Sequence, residues 1–238
     1  MNLAKKLSRG LSGWLLFEHS CHRGPVFSEK YLSYPIAQIL NTEFGIKVHA
    51  EIPHPILGQN IIGRGRRPEI DFGVIEDDKT ISLAIESKWI NENVTNVTVE
   101  KILWDLIRLA MLGNNAKTTC YFILAGRRGH LLKLFNHNKF NGPPDRKGRI
   151  RPILKVRSTD FMHFRLDAPT DHRAELLKKV FKDCQDIELP VNLGTGTTFA
   201  WPRNPANSEY QVFVWEIIPT PIANTFKPKN HKFYFFNG

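Results

Sequence analysis

Two carboxylates and an amine stand out for where an extended chain would put them. In the β-rich run Thr80–Trp89, Ser82, Ala84, Glu86 and Lys88 alternate with Ile81, Leu83 and Ile85, so a strand carries Glu86 and Lys88 on one face. In Glu69–Ile75, Asp71 and Gly73 alternate with Ile70, Phe72 and Val74. The turn-like Glu76-Asp77-Asp78-Lys79 joins the two runs, and a hairpin closing at Asp78-Lys79 sets Asp71 across from Glu86 on a shared face. Like charges directly opposed across strands repel. A sheet that holds them there needs positive charge, part of it from Lys88 and the rest from a divalent cation. Mg²⁺ suits one or two carboxylates, with waters and phosphate oxygens completing its shell. So placed, it lowers the pKa of a bound water and polarises a phosphoryl oxygen. The Lys88 ammonium then positions the attacking water or stabilises charge in the transition state.

The elements that must hold this hairpin are legible around it. Ser28 caps a helix over Glu29–Phe44, stopped by Gly45, with Pro35 in its middle. Ile46–Ile52 reads as a strand, and Pro53–Pro68 as a Pro- and Gly-rich loop. Val97–Leu112 is strongly helical with Gly113-Asn114 as its stop, Thr118–Ala125 is a buried strand, and Arg127–Phe135 a short helix. Farther on, Asp171–Phe181 reads as a helix and Tyr210–Ile218 as a strand ended by Pro219. This order describes an α/β fold, a mixed central sheet flanked by helices, in one domain over residues 1–238. Its core spans about residues 28–135, with 136–238 supplying insertions and one returning strand.

Pro68-Glu69-Ile70-Asp71, followed one strand later by Glu86-Ser87-Lys88, resembles the bipartite motif of the PD-(D/E)XK nuclease superfamily. The resemblance covers residues 28 to about 135 and implies a restriction-endonuclease-like core with the acids and lysine on a central hairpin. It implies that Asp71 and Glu86 hold Mg²⁺, with Mn²⁺ able to substitute, helped by the backbone carbonyl of Ser87, and that Lys88 serves the water. Many members carry another acid on the helix before the first strand, and Glu29 matches that position. The proline stands three residues before Asp71 instead of next to it, and the helix after Lys88 lacks the Gln-xxx-Tyr pattern of the exonuclease-like branch. Without the resemblance, Glu29 is an acid in a first helical turn, where the helix dipole favours it. Glu51 is a weaker third acid.

Charge agrees with a polyanionic partner: 33 Lys and Arg against 23 Asp and Glu leave +10. The arginines cluster in Gly- and Pro-bearing loops, at Arg64, Arg66 and Arg67, at Arg127 and Arg128, and at Arg146, Lys147, Arg149 and Arg151. Such clusters suit phosphate contact, which positions a duplex without reading its sequence. Lys101, Asp105 and Arg108 share one helix face, as a wall of the nucleic-acid groove or as a solvent face laced with ion pairs.

Other chemistries find no support. Cys21, Cys120 and Cys184 are too scattered for a disulfide framework, which fits a reducing, cytoplasmic setting. No apolar run reaches the ~18 residues of a membrane helix. The basic, acid-poor start reads as an amphipathic helix instead of a signal peptide, with organelle targeting left open. His19, Cys21 and His22 lack a second pair at zinc spacing, and Gly194–Thr198 lacks the lysine of a P-loop and reads as a turn. The sequence therefore points to a Mg²⁺-dependent DNA endonuclease of restriction, defence or repair type, for which a homodimer would serve two strand cuts. The alternatives are a non-catalytic nucleic-acid-binding protein that keeps the nuclease fold, and a metal-dependent hydrolase of another phosphate ester.

Overall fold

Ser28 takes an extended backbone and its hydroxyl accepts the Tyr31 N–H, which starts a helix over Glu29–Phe44 that ends on Gly45 at φ 61°. Before it, a helix over Leu3–Ser20 starts at Asn2, whose side chain accepts the Ala4 N–H. Ala4, Leu7, Leu11 and Leu15 form its buried stripe, the amphipathic helix expected from sequence. In the computed structural model the described residues are 2–60, 68–112, 118–142, 144, 147–148, 150–156, 161–168, 173–204, 208–218, 225–232 and 234.

In chain order the helices are α1 (Leu3–Ser20), α2 (Glu29–Phe44), α3 (Leu57–Asn60), α4 (Asn96–Met111), α5 (Arg128–Phe135), α6 (Asn138–Asn141) and α7 (Ala174–Phe181). The strands are β1 (Val48–Pro53), β2 (Glu69–Ile75), β3 (Ile81–Ile90), β4 (Thr119–Arg127), β5 (Met162–Arg165), β6 (Leu189–Pro190), β7 (Asn192–Trp201), β8 (Tyr210–Ile218) and β9 (Thr225–Phe226). Seven strands form one sheet in the order β1-β2-β3-β4-β8-β7-β5, and β6 pairs with β9 apart from it. Within the large sheet β3 and β4 run parallel, joined through α4, and every other neighbour is antiparallel, so the sheet is mixed.

Helices cover both faces. On one, α1 and α2 pack over Phe72, Val74, Leu83, Ile85, Ile123 and Val212. On the other, α4, α5, α6 and α7 bury Ala84, Cys120, Phe122, Leu124, Phe213 and Trp215. Among the described residues no helix is long and apolar enough to cross a membrane.

Three expectations need correction. The hairpin does not close on two residues: Glu76 N–H bonds the Thr80 carbonyl around Asp77, Asp78 and a left-handed Lys79 at φ 64°. A register shift between Val74 and Ile75 then restores the expected alignment, with Phe72 facing Ile85 and Gly73 facing Ala84. The same irregularity breaks the alternation of β3, since Ile81 packs on the α4 side while Leu83 and Ile85 pack under α2. Second, Gly194–Thr198 is no turn but part of β7, where a Cβ on Gly194 would meet Ile218 Cβ at 3.0 Å. Third, the C-terminal part returns three strands to the sheet, β5, β7 and β8, instead of one.

Candidate functional site

Registered pairing between β2 and β3 reaches only as far as Phe72 and Ile85 toward the start of β2. Beyond that point the Asp71 carboxylate stands in for the ladder: its Oδ2 accepts both the Ser87 N–H and the Ser87 hydroxyl at 2.8 Å. A cleft of about 760 Å³ opens there, lined by Glu29, Asp71, Glu86, Ser87, Lys88 and Arg108, with Glu51 and Glu69 also on its wall. Asp71, Glu86, Lys88 and Glu29, the four residues singled out from sequence, thus share one cleft.

Lys88 is the centre of the charge network. Its Nζ lies 3.1 Å from Glu29 Oε2, on α2, and 3.0 Å from Asp105 Oδ2, on α4. Helices from opposite faces of the sheet therefore meet on one ammonium. Burial alone would make Lys88 easier to deprotonate, but the carboxylates of Asp105 and Glu29 outweigh it and raise its pKa. Partial burial at the cleft rim raises the pKa of Glu29, with Lys88 opposing.

Glu86 is the most deeply placed acid, 1% exposed. Desolvation, followed by the neighbouring charge of Asp105, holds its carboxyl well above the usual range. Arg108 Nη2 sits 2.8 Å from Glu86 Oε1 and 2.8 Å from Asp105 Oδ1, and its Nη1 donates to the Glu69 carbonyl at 3.0 Å. Arg108 Nη2 is aligned on Asp105 and Nη1 on Glu69, its Nε has no hydrogen-bond partner, and Glu86 Oε1 is buried with no donor pointing at it. Asp105 is also raised by burial, against the pull of Lys88 and Arg108. The backbone of Arg108 is anchored in turn: His54 Nε2 lies 3.0 Å from the Arg108 carbonyl, while His54 Nδ1 faces the N–H groups of Ile56 and Leu57. An Nδ1 that accepts two N–H groups fixes the neutral tautomer with its proton on Nε2. Burial pushes the His54 pKa down to about 4.

The helix face of Lys101, Asp105 and Arg108 is thereby divided. Lys101 is exposed, but Asp105 is buried and Arg108 half-buried, so the face is not a solvent face of ion pairs. Arg108 does line the cleft, yet its guanidinium is committed to Asp105, Glu86 and Glu69 instead of awaiting a phosphate. Asp105 is the site residue that sequence reasoning left out of the site. Its signal was available: an acid in phase with the buried Ile102, Leu106 and Leu109 of an amphipathic helix. His54 carried no such signal in its loop.

The remaining basic residues scatter. Arg127, the last residue of β4, pairs with Glu209 at 3.1 Å and lies over the Tyr210 ring. Arg128 opens α5, and Lys147 and Arg151 are exposed. Arg64, Arg66, Arg67, Arg146 and Arg149 lie outside the described residues. The three cysteines are free, with Cys120 and Cys184 buried and each thiol pushed up to about 12, largely by desolvation.

For a divalent cation the donors are hard oxygens. Four carboxylates, Glu29, Asp71, Glu86 and Asp105, act on one another around two cations, Lys88 and Arg108, which leaves negative charge in excess when all are ionised. Among the described residues no group of three or more His, Cys, Asp or Glu side chains is arranged to hold a metal ion. The Asp71 and Glu86 carboxylates, the excess charge and the bare Glu86 Oε1 fit an ion such as Mg²⁺, which takes one or two carboxylates and fills its shell with water and phosphate oxygens. In comparisons with known proteins, no family model, no curated protein and no solved structure matches the chain.

Proposed function

We propose that the chain is a metal-dependent nuclease with a restriction-endonuclease-like core that hydrolyses phosphodiester bonds in DNA, cutting within the strand. The observation that carries this reading is the convergence of Asp71, Glu86, Lys88 and Glu29 in one cleft at the end of the β2–β3 pairing. Asp71 and Glu86 would hold Mg²⁺ or Mn²⁺, with the Ser87 carbonyl as the third donor that the family resemblance implies. When bound, the cation lowers the pKa of a water and offsets charge on the phosphoryl oxygens.

The chain's own residues supply the rest. Ser87 fixes the Asp71 carboxylate by two hydrogen bonds, so one of the two acids is oriented before any ligand arrives. Lys88, kept protonated by Asp105 and Glu29, presents a positive charge at the cleft for the attacking water and the developing charge. Glu29 at the rim holds that ammonium from one side and Asp105 from the other, which restricts its position. A chain charge of +10 favours a polyanionic substrate.

A second reading, a nucleic-acid-binding protein that keeps this fold without cleaving, draws on the Arg108–Glu86 contact, in which an arginine already neutralises one of the two acids. Crystals soaked in Mn²⁺ separate the two. The nuclease reading expects anomalous density between Asp71 and Glu86, and a site that stays bare at saturating Mn²⁺ supports the binder.

A further inference from the structure

Arg108 occupies an unusual position. Its Nη2 stands between Glu86 Oε1 and Asp105 Oδ1, 2.8 Å from each, and among the described residues it is the cation in contact with Glu86, one of the two acids proposed as metal ligands. The contact with Glu86 is a charge contact without an aligned N–H, whereas the bonds to Asp105 and to the Glu69 carbonyl are aligned. A guanidinium held by two good hydrogen bonds and one bare charge contact can give up the third at least cost. Glu86 in contrast is almost wholly buried and has no other cation in contact with it among the described residues. Whenever it is ionised, a carboxylate so buried needs a counter-charge.

We propose that Arg108 is an internal counter-ion that holds Glu86 in the metal-free protein and is displaced from Glu86 Oε1, staying on Asp105, when a divalent cation enters. The inference rests on the cation site proposed above and adds a residue that sets its affinity. Arg108 and the cation compete for one oxygen. The arginine offsets negative charge in the empty site and, by the same contact, weakens cation binding. Asp105 has two duties in this arrangement, receiving Arg108 on Oδ1 and holding Lys88 on Oδ2. The His54 contact to the Arg108 carbonyl fixes where the side chain starts, so displacement is a side-chain movement and not a shift of α4.

The test is Mn²⁺ affinity by calorimetry on the full chain, for wild type, Arg108→Gln, Arg108→Lys and Lys101→Gln, with thermal unfolding measured with and without Mn²⁺. Arg108→Gln should bind Mn²⁺ about tenfold or more tightly, the scale on which one nearby like charge shifts a partly buried ionic equilibrium. Its metal-free form should melt earlier than wild type and gain more from Mn²⁺. Arg108→Lys, which keeps the charge, should stay near wild type, and so should Lys101→Gln, which removes an exposed charge from the same helix. If Arg108→Gln fails to fold, guanidinium NMR on wild type reads the same event: saturating Ca²⁺ should move the Arg108 side-chain signals. Equal Mn²⁺ affinity in wild type and Arg108→Gln, or Arg108 signals unmoved by Ca²⁺ that binds, overturns the counter-ion and leaves the nuclease reading standing. Tighter Mn²⁺ binding by Arg108→Gln in a protein that never cleaves DNA supports the counter-ion and overturns the nuclease. Absence of Mn²⁺ binding in every variant overturns both.

Discussion

Lys88 Nζ lies 3.0 Å from Asp105 Oδ2, a contact across 17 positions of chain that joins the end of the acid-bearing strand to the middle of the following helix. With Glu29 on the other side, the ammonium is clamped between two carboxylates before any substrate arrives. Lys88→Met leaves Asp105 with Arg108 alone and should cost about 3 kcal/mol, the low end for breaking a buried pair, because Glu29 is half exposed. Lys88→Arg should fold near wild type yet lose turnover, since a planar guanidinium cannot take the ammonium's place over the water. Urea melts and single-turnover cleavage on both variants check this, and a fully active Lys88→Arg would remove Lys88 from the chemistry.

Asp71 should separate into two roles. Asp71→Asn can still accept from Ser87 and should hold stability within about 1 kcal/mol, whereas Asp71→Ala leaves the buried Ser87 N–H without its acceptor and should cost about 1–3 kcal/mol. Both should lose Mn²⁺ binding and cleavage. Calorimetric Mn²⁺ titration beside thermal unfolding tells them apart, and undiminished Mn²⁺ affinity in Asp71→Asn would exclude it as a ligand.

The hairpin and its flanks were legible because the apolar alternation of Phe72–Val74 and Leu83–Ile85 survives in the folded sheet, and because Ser28 and Gly45 delimit α2 as written. The turn is longer than two residues, yet Phe72 and Gly73 keep the expected register because the shift between Val74 and Ile75 compensates for the longer loop. What stayed hidden depended on long-range partners. Strand β7 is rich in Gly and Thr, and Gly194 makes sense only beside Ile218 of β8. Asp105 and Arg108 read equally as a groove wall or a surface ion pair, and only the fold brings Glu86 and Lys88 against them.

His54 predicts a pH dependence. Its folded pKa of about 4 lies below the ordinary 6.5, so its contribution is complete above pH 6.5 and is lost as pH falls from there toward 4. His54→Ala should lower stability by about 1–3 kcal/mol at pH 7.5, through the loss of the Arg108 carbonyl contact and of the acceptor for Ile56 and Leu57. It should also flatten the decline between pH 6.5 and 4. Denaturation series at both ends of that window measure it, and a slope identical to wild type would mean that His54 titrates elsewhere.

Duplex affinity should fall steeply with salt, with a log–log slope reduced by about 0.9 for each phosphate contact removed. Neutralising Arg64, Arg66 and Arg67, or Lys147 and Arg151, should flatten that slope, while Arg108→Gln should not, because its guanidinium is already held by Asp105 and Glu69. Fluorescence anisotropy over a salt series reads it. A slope unmoved by the loop variants returns those loops to ordinary surface.

If Asp71 and Glu86 form a cation-dependent cleavage site, Glu86→Gln should disable it, since the change keeps the shape of a side chain that is 1% exposed and removes its charge. Plasmid cleavage at low salt with Mg²⁺ or Mn²⁺ should be measured for wild type and Glu86→Gln, beside DNA affinity and melting temperature. Wild type should nick in a cation-dependent way, the variant should lose about 10³-fold or more, the scale of removing one preorganised electrostatic group, and DNA binding and folding should be unchanged in both. Cleavage by Glu86→Gln at the wild-type rate, or a wild type that binds DNA and never cuts it with either cation, would contradict it.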